Sequence, residues 1–345
     1  MFPRVSIIIL NWNGWRDTIE CLESLYRITY PNFDVIVVDN GSRDDSVQMI
    51  KEYCEGKIEV NSKFFKYDPS NKPIKVFEIS EDEARRGRFD RPLYEKFDPD
   101  RRLILIKNKD NYGFAGGNNV GIKFALSVLN PKYILLLNND TVVDKRFLDE
   151  LVKVAESDEK IGIVGSKIYY YDYNGRDDVI WALCGGELSI RFGKISIKFG
   201  KIGTYVITGC CMLIRRDVLD KLKGFDEKYF CYWEDIDLSV RCKDLGYKLF
   251  CSQTSILWHK VSASIGGSDS PAFVYYYTRN LIYFVKKHSR FLIYLIFLIG
   301  FLSYYHIKKI LYFVFKKRQP YLLKYFYIGI WEGIMGRLYK KKDLP

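Results

Sequence analysis

The sequence predicts an α/β protein whose mixed, mainly parallel sheet carries helices on both faces. Short runs of almost purely apolar, often β-branched residues alternate with helical segments, a pattern typical of parallel strands that are buried on both faces. The chain has 345 residues, 48% of them hydrophobic, which is enough for one sizeable domain plus an appendage.

The first predicted strand is VSIIIL at residues 5–10, and the second is DVIVVD at 34–39. A helical stretch at 15–26 lies between them, with apolar residues three positions apart. The same alternation continues along the chain, with strands predicted at 102–106, 133–137 and 161–165 and helices at about 117–129 and 145–156.

Residues 55–100 interrupt this rhythm with many charges and four prolines. They predict an insertion between the second and third core strands, either a small β excursion or a surface loop. From 166 to 215 the pattern favours antiparallel pieces, with a hairpin at 187–198, and further helices are expected at 216–222, 234–245 and 271–287.

The positive charge is concentrated in the C-terminal tail. The formal net charge is +12, and residues 281–345 contain 13 Lys and Arg against 2 Asp and Glu, which gives +11. We therefore predict a domain at 1–280 and a basic helical tail at 281–345. Because the charge lies among long apolar runs, it favours an anionic membrane surface over nucleic acid as a partner.

The tail contains 17 consecutive uncharged, mostly apolar residues at 291–307, flanked on both sides by Lys and Arg. That length is at the short limit for a membrane span. A second aromatic stretch at 321–336 is too interrupted to span. We predict helices that lie in the membrane surface, with a single span and a helical cap packed on the domain as alternatives.

Eight cysteines show neither a CxxC pair nor a Cys/His metal spacing, and we expect the apolar run that opens the sequence to be a buried strand and not an export signal. They are expected to be reduced, buried thiols. The predicted location is accordingly cytoplasmic, peripheral on the cytoplasmic face of the membrane.

Polar clusters follow three of the predicted strands. They begin at Asn11, at Asp39 and at Asn138, and each alone is also compatible with an ordinary turn. Ligands of parallel α/β sheets bind at the carboxyl ends of the strands, so three such clusters predict a binding edge. Asp140 supplies a hard oxygen ligand, which suits Mg²⁺ or Mn²⁺ completed by phosphate oxygens.

The segment KDNYGFAGGNNVG at 109–121 is rich in glycine. Gly113, Gly116 and Gly117 would let the backbone approach a ligand closely, and a helix beginning near Gly117 would turn its first amides toward an anion. A lone glycine loop is a weak signal, because such loops are also purely structural.

Further along, Glu234, Asp235 and Asp237 stand together at a predicted helix start. The helix dipole favours acids there, but a carboxylate held beside aromatic residues could also act as a general base. His259 is either a structural residue or a ligand of a metal or diphosphate. Arg279 either extends to solvent from an aromatic helix or grips phosphate.

Six segments occur in an order and spacing that resembles family 2 glycosyltransferases, most closely their rhamnosyltransferase-like branch: VSIIILNWNGW, VIVVDNGSRDDS, NYGFAGGNNVGI, YILLLNNDTVV, ITGCCMLIRRDVLDKLKGFDEKYFCYWEDIDLSVRCKDLGYKL and ILWH. The resemblance covers about 5–54 and 103–285. It implies a GT-A fold, a nucleotide-diphosphate sugar as donor, a divalent metal and inversion at the anomeric carbon.

The resemblance also implies roles for individual residues. Asp235 matches the catalytic base, with Glu234 beside it, while Asp140 and His259 match the metal and diphosphate ligands. Donor contacts fall on Asn11, Asn13, Asp39, Asn111, Gly113, Gly116, Gly117 and Asn118, and we add Asn138 and Arg279 as donor-oxygen and phosphate contacts. The motif around Asp140 has one carboxylate fewer than the DxD pattern, so we expect metal binding to depend also on His259 and the donor diphosphate.

These observations predict an inverting glycosyltransferase that acts on a glycan or lipid-linked acceptor in cell-surface polysaccharide or glycoconjugate synthesis. A nucleotidyltransferase is one alternative, but NWNGWRDT after the first strand lacks the glycine-rich, basic loop that a triphosphate needs. A non-catalytic membrane or glycan-binding module on the same fold is another, which the intact acidic positions disfavour.

Overall fold

The computed structural model describes residues 2–191, 194–199, 206–261, 270–338 and 340. Its strands are β1 (Val5–Asn11), β2 (Phe33–Asp39), β3 (Lys75–Ser80), β4 (Arg102–Lys107), β5 (Tyr133–Asn138), β6 (Thr141–Val143), β7 (Ile161–Tyr170), β8 (Ile180–Leu183), β9 (Gly185–Arg191), β10 (Lys194–Phe199), β11 (Val206–Ile207), β12 (Cys211–Arg215) and β13 (Lys248–His259).

The central sheet has the order β3-β4-β2-β1-β5-β12-β7-β13-β6, and β8 pairs with β7 at its side. The first five strands are all parallel, whereas β12 runs antiparallel to both of its neighbours. The predicted mixed, mainly parallel sheet is therefore confirmed. The predicted hairpin is also present, because β9 and β10 pair antiparallel in a separate small sheet with β11.

The helices are α1 (Trp15–Leu25), α2 (Ser46–Cys54), α3 (Glu81–Arg86), α4 (Arg91–Tyr94), α5 (Gly113–Phe124), α6 (Phe147–Glu156), α7 (Arg216–Leu222), α8 (Glu234–Asp244), α9 (Pro271–His288), α10 (Phe291–Gly300), α11 (His306–Leu311) and α12 (Leu322–Met335). Six of the helices that precede α9 form two layers. Residues of α1, α2 and α6 share one apolar core with Ile7 and Ile9, and residues of α5, α7 and α8 share the other with Ile8. Successive strand residues thus face opposite helical layers, as alternation along a strand requires.

The segment at 55–100 widens the sheet. Its strand β3 pairs in parallel with β4 and forms the edge of the sheet, and α3 and α4 follow it. Of the two expectations for this segment, the β excursion is thus the one observed. Helix α3 starts with a capping box in which Ser80 and Glu83 satisfy each other's backbone amides, which explains its sharp beginning.

The expectation of eight reduced thiols is wrong for one pair, since Cys184 and Cys251 form a disulfide with their Cα atoms 5.5 Å apart. Both β13, which carries Cys251, and β8, which ends just before Cys184, pair with β7, and this brings the two cysteines together across 67 positions. The spacing of cysteines along the sequence does not reveal such a contact. The other six cysteines are free and buried. Because disulfides are rare in the reducing cytosol, the cysteine pattern no longer supports the cytoplasmic prediction.

The predicted boundary at 280/281 falls inside α9. Beyond α9, a continuous helix at Phe291–Lys316, here called the tail helix, contains α10 and α11 joined by π-helical turns. Within the described residues it is the one helix long and apolar enough to cross a membrane, at 26 residues. One face of the tail helix packs on α12 and α9 through Phe297, Phe301 and Phe313.

Candidate active site

The polar clusters after β1, β2 and β5 meet at one edge of the sheet. In the strand register Asn11 stands opposite Asp39, and Leu10 stands opposite Asn138. The Asn11 side chain donates to Asp39 Oδ1 at 2.8 Å and accepts from the Thr18 hydroxyl at 2.9 Å. The predicted convergence of the clusters is confirmed, and hydrogen bonds between their side chains hold it in place.

Asn13 connects the first cluster to the second. Its φ of +51° places it in the left-handed region, which asparagine tolerates better than most residues. Its N–H donates to Ser42 Oγ at 2.9 Å, and its side-chain oxygen accepts from the Arg43 N–H at 2.8 Å. The Ser42 N–H in turn donates to Asp39 Oδ2 at 3.1 Å. The loop after β2 is therefore fixed against the loop after β1.

Asp140 and His259 face each other across the end of the sheet. Asp140 occupies the turn between β5 and β6, and His259 pairs with Thr141 at the end of β13. This pairing puts His259 Nε2 3.1 Å from Asp140 Oδ1, with both side chains buried. The ring of Trp181 packs edge-on against His259 at 4.7 Å, which limits how the imidazole can turn.

These two residues fit a divalent metal only as a pair. A carboxylate oxygen and an imidazole nitrogen are suitable ligands, and His259 Nδ1 is buried with no hydrogen-bond partner among the described residues. Within that same part of the chain, no group of three His, Cys, Asp or Glu side chains could hold a metal by itself. The remaining ligands would have to come from a bound phosphate and water, as is usual for Mg²⁺.

The glycine-rich segment differs from its prediction in where the helix begins. Helix α5 starts at Gly113, so Gly116 and Gly117 lie inside it. A Cβ on Gly113 would come within 2.3 Å of the Phe230 carbonyl oxygen, and one on Gly117 within 2.5 Å of the Leu10 side chain. Both glycines make room for neighbouring protein atoms, and their place in the donor pocket stays a prediction.

Asn118, which is predicted to contact the donor, forms a hydrogen bond within its own helix. It is buried, and its side-chain amide donates to the Phe114 carbonyl one turn earlier in α5 at 2.9 Å. Asn111 is half-buried and its side-chain oxygen accepts from the Gly113 N–H at 2.8 Å, which shapes the turn into the helix. Asn138 is half-buried at the end of β5, beside the turn that carries Asp140.

Two residues outside the predicted set hold the glycine-rich segment in place. Asn40 donates to the Asn111 side chain at 3.0 Å and accepts from the Tyr112 N–H at 3.2 Å. Glu81, at the start of α3, accepts from the Lys109 N–H at 2.9 Å and the Tyr112 hydroxyl at 3.0 Å. Asn40 lies in the motif VVDNGS, so it could have been identified from the sequence as a candidate site residue. Glu81 lies in the insertion and gave no such signal.

Asp235 lies at the start of α8 and is fixed by backbone amides. Its Oδ2 accepts from the Gly209 N–H at 2.9 Å and its Oδ1 from the Ile236 N–H at 2.8 Å. A Cβ on Gly209 would lie 3.2 Å from the Phe114 ring and 3.4 Å from the Asp235 Cβ, so α5 and the start of α8 both pack against Gly209. Burial raises the pKa of Asp235 above its ordinary value, although these amide hydrogen bonds work in the opposite direction.

Glu234 is the more deeply buried acid of the pair. Its Oε2 has no hydrogen-bond partner among the described residues, and burial, reinforced by the charge of Asp235, raises its pKa well above the usual range. Burial therefore disfavours the ionised form of Glu234. Asp235, which is half-buried and held by two backbone amides, is the better candidate for a base.

The segment between β11 and β12 connects the two halves of the site. The Gly209 N–H binds Asp235, and the carbonyl of the next residue, Cys210, accepts from the Asn138 N–H at 2.9 Å. Two successive residues thereby connect the Asp140 edge to the start of α8. This segment lies within the motif ITGCC, whose residue types do not predict that it connects the two halves of the site.

The structure disagrees with phosphate binding by Arg279. This side chain is fully buried, and its guanidinium donates to the carbonyls of Lys228 and Tyr229 at 3.1 and 2.9 Å. The neighbouring Asn280 also donates to the Tyr229 carbonyl, at 2.8 Å. Arg279 therefore anchors the loop that leads into α8. The aromatic residues around Arg279 in α9 do not predict this role, because its partners are backbone carbonyls far away in the sequence.

Two family models match the chain. One described as "Glycosyltransferase like family 2" matches residues 79–274, which are 196 of the 345 residues, and one described as "Glycosyl transferase family 2" matches 6–72. The matched ranges contain every residue of the Asp140–His259 and Asp235 clusters described above.

Two curated proteins are similar to this chain in sequence. The chain is 29% identical over 281 residues to the O-antigen biosynthesis protein RfbC of Myxococcus xanthus, covering 76% of this chain and 18% of that protein. It is 31% identical over 84 residues to the N-acetylglucosaminyl-diphospho-decaprenol L-rhamnosyltransferase of Mycobacterium tuberculosis, covering 24% of this chain and 27% of that protein. The chain thus spans less than a third of either relative's length.

Among solved structures, the mannosyltransferase PcManGT from Pyrobaculum calidifontis, in complex with GDP-Man and Mn²⁺, superposes with a TM-score of 0.57. The match covers 98% of this chain and 88% of that one at 15% identity, a level at which the likeness concerns the fold. The expected GT-A fold is confirmed. On the strength of the family models and these relatives, the chain belongs to glycosyltransferase family 2 and is similar to its rhamnosyltransferase-like branch.

Proposed function

We propose that this protein is an inverting glycosyltransferase that moves a sugar from a nucleotide-diphosphate donor to a hydroxyl of a glycan or lipid-linked acceptor. The observation that carries the proposal is the joining of two chemically different clusters by one short segment. Asp140 and His259 form one cluster, Asp235 forms the other, and Gly209 with Cys210 connects them.

The donor side is assigned to the edge formed by the ends of β1, β2 and β5. Asp39 and Asn11 lie at the carboxyl ends of adjacent parallel strands, where nucleotides bind in α/β sheets. Asn13 and Asn111 order the loops on either side. In the solved relative PcManGT, the ligands are GDP-Man and Mn²⁺, which supports a nucleotide sugar as donor for this chain.

The acceptor side is assigned to Asp235. Its carboxylate accepts the proton of the acceptor hydroxyl, and the oxygen forms a bond to the sugar C1 from the face opposite the diphosphate. The bond from C1 to the diphosphate oxygen breaks, and the nucleoside diphosphate leaves with the electron pair. One base is sufficient for this single displacement, and its raised pKa strengthens it as a proton acceptor.

Asp140 and His259 are the residues that would hold Mg²⁺ or Mn²⁺, together with the donor diphosphate. When bound, the ion supplies positive charge to the phosphate oxygens of the leaving group. Asp140 is the one carboxylate of the Asp140–His259 pair, so the metal is expected to bind together with the donor diphosphate. His259 is held ready for this by the edge-on contact with Trp181.

We further propose that the tail binds the surface of an anionic membrane. The outer face of the tail helix exposes large apolar side chains, including Phe291, Ile299 and Phe315, each at least 70% accessible. Exposed apolar surface of this extent marks an interaction site, and the surrounding lysines favour anionic lipid. A relative that acts on a diphospho-decaprenol substrate supports such a location for this chain.

The function is tested by screening nucleotide sugars for binding and for slow hydrolysis, each with Mn²⁺, Mg²⁺ or EDTA. We expect one class of nucleotide sugar to raise the melting temperature in the presence of metal and to be hydrolysed without acceptor. If no nucleotide sugar binds with either metal, the proposal is wrong.

A further inference from the structure

The segment at residues 228–233, here called the base loop, leads directly into the helix that carries Asp235. Three of its residues have backbone angles in the left-handed region, with φ of +65° at Phe230, +68° at Tyr232 and +76° at Trp233. Bulky residues rarely adopt this region, because the Cβ atom then comes too close to backbone atoms. Strained backbone of this kind persists only where the surrounding structure holds it, and it is concentrated at functional sites.

Helix α9 holds the base loop through its carbonyl oxygens. The side-chain nitrogen of the fully buried Asn280 donates at 2.8, 2.8 and 2.9 Å to three of them, those of Tyr229, Cys231 and Tyr232. Arg279 Nε donates to Asn280 Oδ1 at 2.8 Å, which fixes the orientation of the amide, and the guanidinium also binds the first two carbonyls of the loop. Four of the first five carbonyls of the base loop therefore accept hydrogen bonds from two adjacent residues of α9.

The remaining carbonyl of these five faces the glycine-rich segment. The Phe230 carbonyl oxygen accepts from the Ala115 N–H in the first turn of α5 at 3.1 Å, and it is the atom that a Cβ on Gly113 would meet. The Phe230 ring stacks on Tyr276 of α9 with centroids 4.9 Å apart. The base loop thus connects α9 with the start of α5, and it ends immediately before the helix that carries Asp235.

We propose that Asn280 is a positioning residue: it holds the base loop in its strained conformation, so that Asp235 and the glycine-rich segment keep one fixed arrangement. The inference rests on the proposed function and adds to it a residue that acts only through its neighbours. Without the Asn280 amide, three carbonyl oxygens lose a donor and the left-handed residues relax toward ordinary angles, which displaces the start of α8. A displacement of about 1 Å at a catalytic group costs on the order of 100-fold in rate.

The first experiment does not depend on turnover. Hydrogen exchange is followed by mass spectrometry in the full-length wild-type protein and in Asn280→Ala. We expect the amides of Ala115 and Gly209 to exchange at least about tenfold faster in the variant, because the first binds the base loop and the second binds Asp235. Exchange at the wild-type rate at either amide would overturn the proposal.

Ile282→Ala is the matched control on the same helix. Ile282 is fully buried and faces α12, where a Cβ on Gly333 would lie 3.0 Å from the Ile282 Cβ. The control should lower the melting temperature, because it removes buried apolar contacts, and it should leave the exchange of the Ala115 and Gly209 amides unchanged. Equal acceleration in Ile282→Ala and Asn280→Ala would show general loosening of α9 and would contradict the proposal.

The second experiment measures turnover of the nucleotide sugar. Asn280→Ala should lower kcat by at least about tenfold and change KM by less than about twofold, because Asn40 and Glu81 still hold the glycine-rich segment. The rise of kcat/KM with pH should move to higher pH, because the amide hydrogen bonds that lower the pKa of Asp235 are loosened. A lower melting temperature with the wild-type kcat and pH profile would show a merely structural role and overturn the proposal.

Two further variants complete the test. Asn280→Ser retains one donor and is measured in the same way if Asn280→Ala does not fold. Tyr232→Gly removes the strain at one left-handed position, so adding it to Asn280→Ala should restore part of the lost kcat. A double variant no more active than Asn280→Ala would contradict the role of strain. Absence of turnover in the wild-type protein would contradict the proposed function, whereas hydrogen exchange would still report whether Asn280 holds the base loop.

Discussion

His259 Nε2 lies 3.1 Å from Asp140 Oδ1, although 119 positions separate the two residues in the chain. The short strand β6 returns directly after Asp140 and pairs with the end of β13, which carries His259. This pairing alone brings the two side chains together. It also explains how a site with one carboxylate can still offer a second ligand to a metal.

Asp140→Asn and His259→Ala should each weaken Mn²⁺-dependent donor binding by at least about 100-fold, because even the outer partners of metal ligands are typically worth 10- to 100-fold. Titration of Mn²⁺ against the protein saturated with nucleotide sugar measures the effect. Asp177→Asn is the control, since Asp177 is an exposed residue of the same sheet region. Unchanged metal affinity in both site variants would remove these residues from the metal site.

Asp235→Asn should reduce transfer by about 10²- to 10⁴-fold, the usual contribution of a general base, and should leave donor binding intact. Because burial raises the pKa of Asp235 above 3.8, the wild-type kcat/KM should rise with pH through that higher value as the carboxyl loses its proton. The pH profile of kcat/KM, recorded with saturating metal, measures this. Loss of donor binding in the variant would contradict the assignment of Asp235 as the base.

Glu81→Gln should raise the KM for the nucleotide sugar by roughly tenfold with little change in kcat, because a neutral amide holds the Lys109 N–H and the Tyr112 hydroxyl less strongly. Asp82→Asn is a matched control on the same helix, since Asp82 pairs with the exposed Lys109 ammonium. An effect of equal size in both variants would show that general charge, rather than support of the glycine-rich segment, is responsible.

Asp237→Asn should lower the free energy of unfolding at pH 7 by about 2 kcal/mol. Burial of Asp237 opposes its ionisation, but hydrogen bonds and charges from His288, Arg241 and Lys287 outweigh it and lower the pKa to about 2. A carboxyl whose pKa is lower in the folded than in the unfolded protein stabilises the fold when the pH is above its unfolded-state pKa, here 3.8. The stabilisation by Asp237 should therefore be lost as the pH falls from about 4 to about 2. Thermal unfolding recorded at a series of pH values measures this loss. Asp220→Asn is the control and should have almost no effect, because Asp220 is an exposed residue paired with Arg216.

Ile299→Glu combined with Phe315→Glu should reduce binding to phosphatidylglycerol vesicles by at least about tenfold, since each exposed side chain loses the transfer free energy of an apolar group. Co-sedimentation with vesicles measures the bound fraction. Ile180→Glu, at an exposed apolar position on β8, is the control. A tail that crosses the membrane would instead resist extraction by carbonate, and a tail that merely caps the domain would leave the wild-type protein in the soluble fraction.

The α/β architecture and the three polar clusters can be predicted from the amino-acid sequence alone. Apolar runs such as VSIIIL predict strands that are buried on both faces of the sheet. The residues that follow these strands lie at the carboxyl edge of the sheet. Both signals are local, because a strand and its terminal turn are contiguous in the chain. Asp140, Asp235 and His259 are therefore identifiable as candidates from the residues that flank them.

Which candidates share a site, and which of them serve the fold, depends on tertiary packing. The burial of Arg279 against backbone carbonyls, the Cys184–Cys251 disulfide and the support of the glycine-rich segment by Glu81 all require contacts across many positions. The tight packing around Gly113 and Gly117 is of the same kind. Such contacts leave no periodic trace in a single sequence, because the partner's position is set by how the elements pack and not by spacing along the chain.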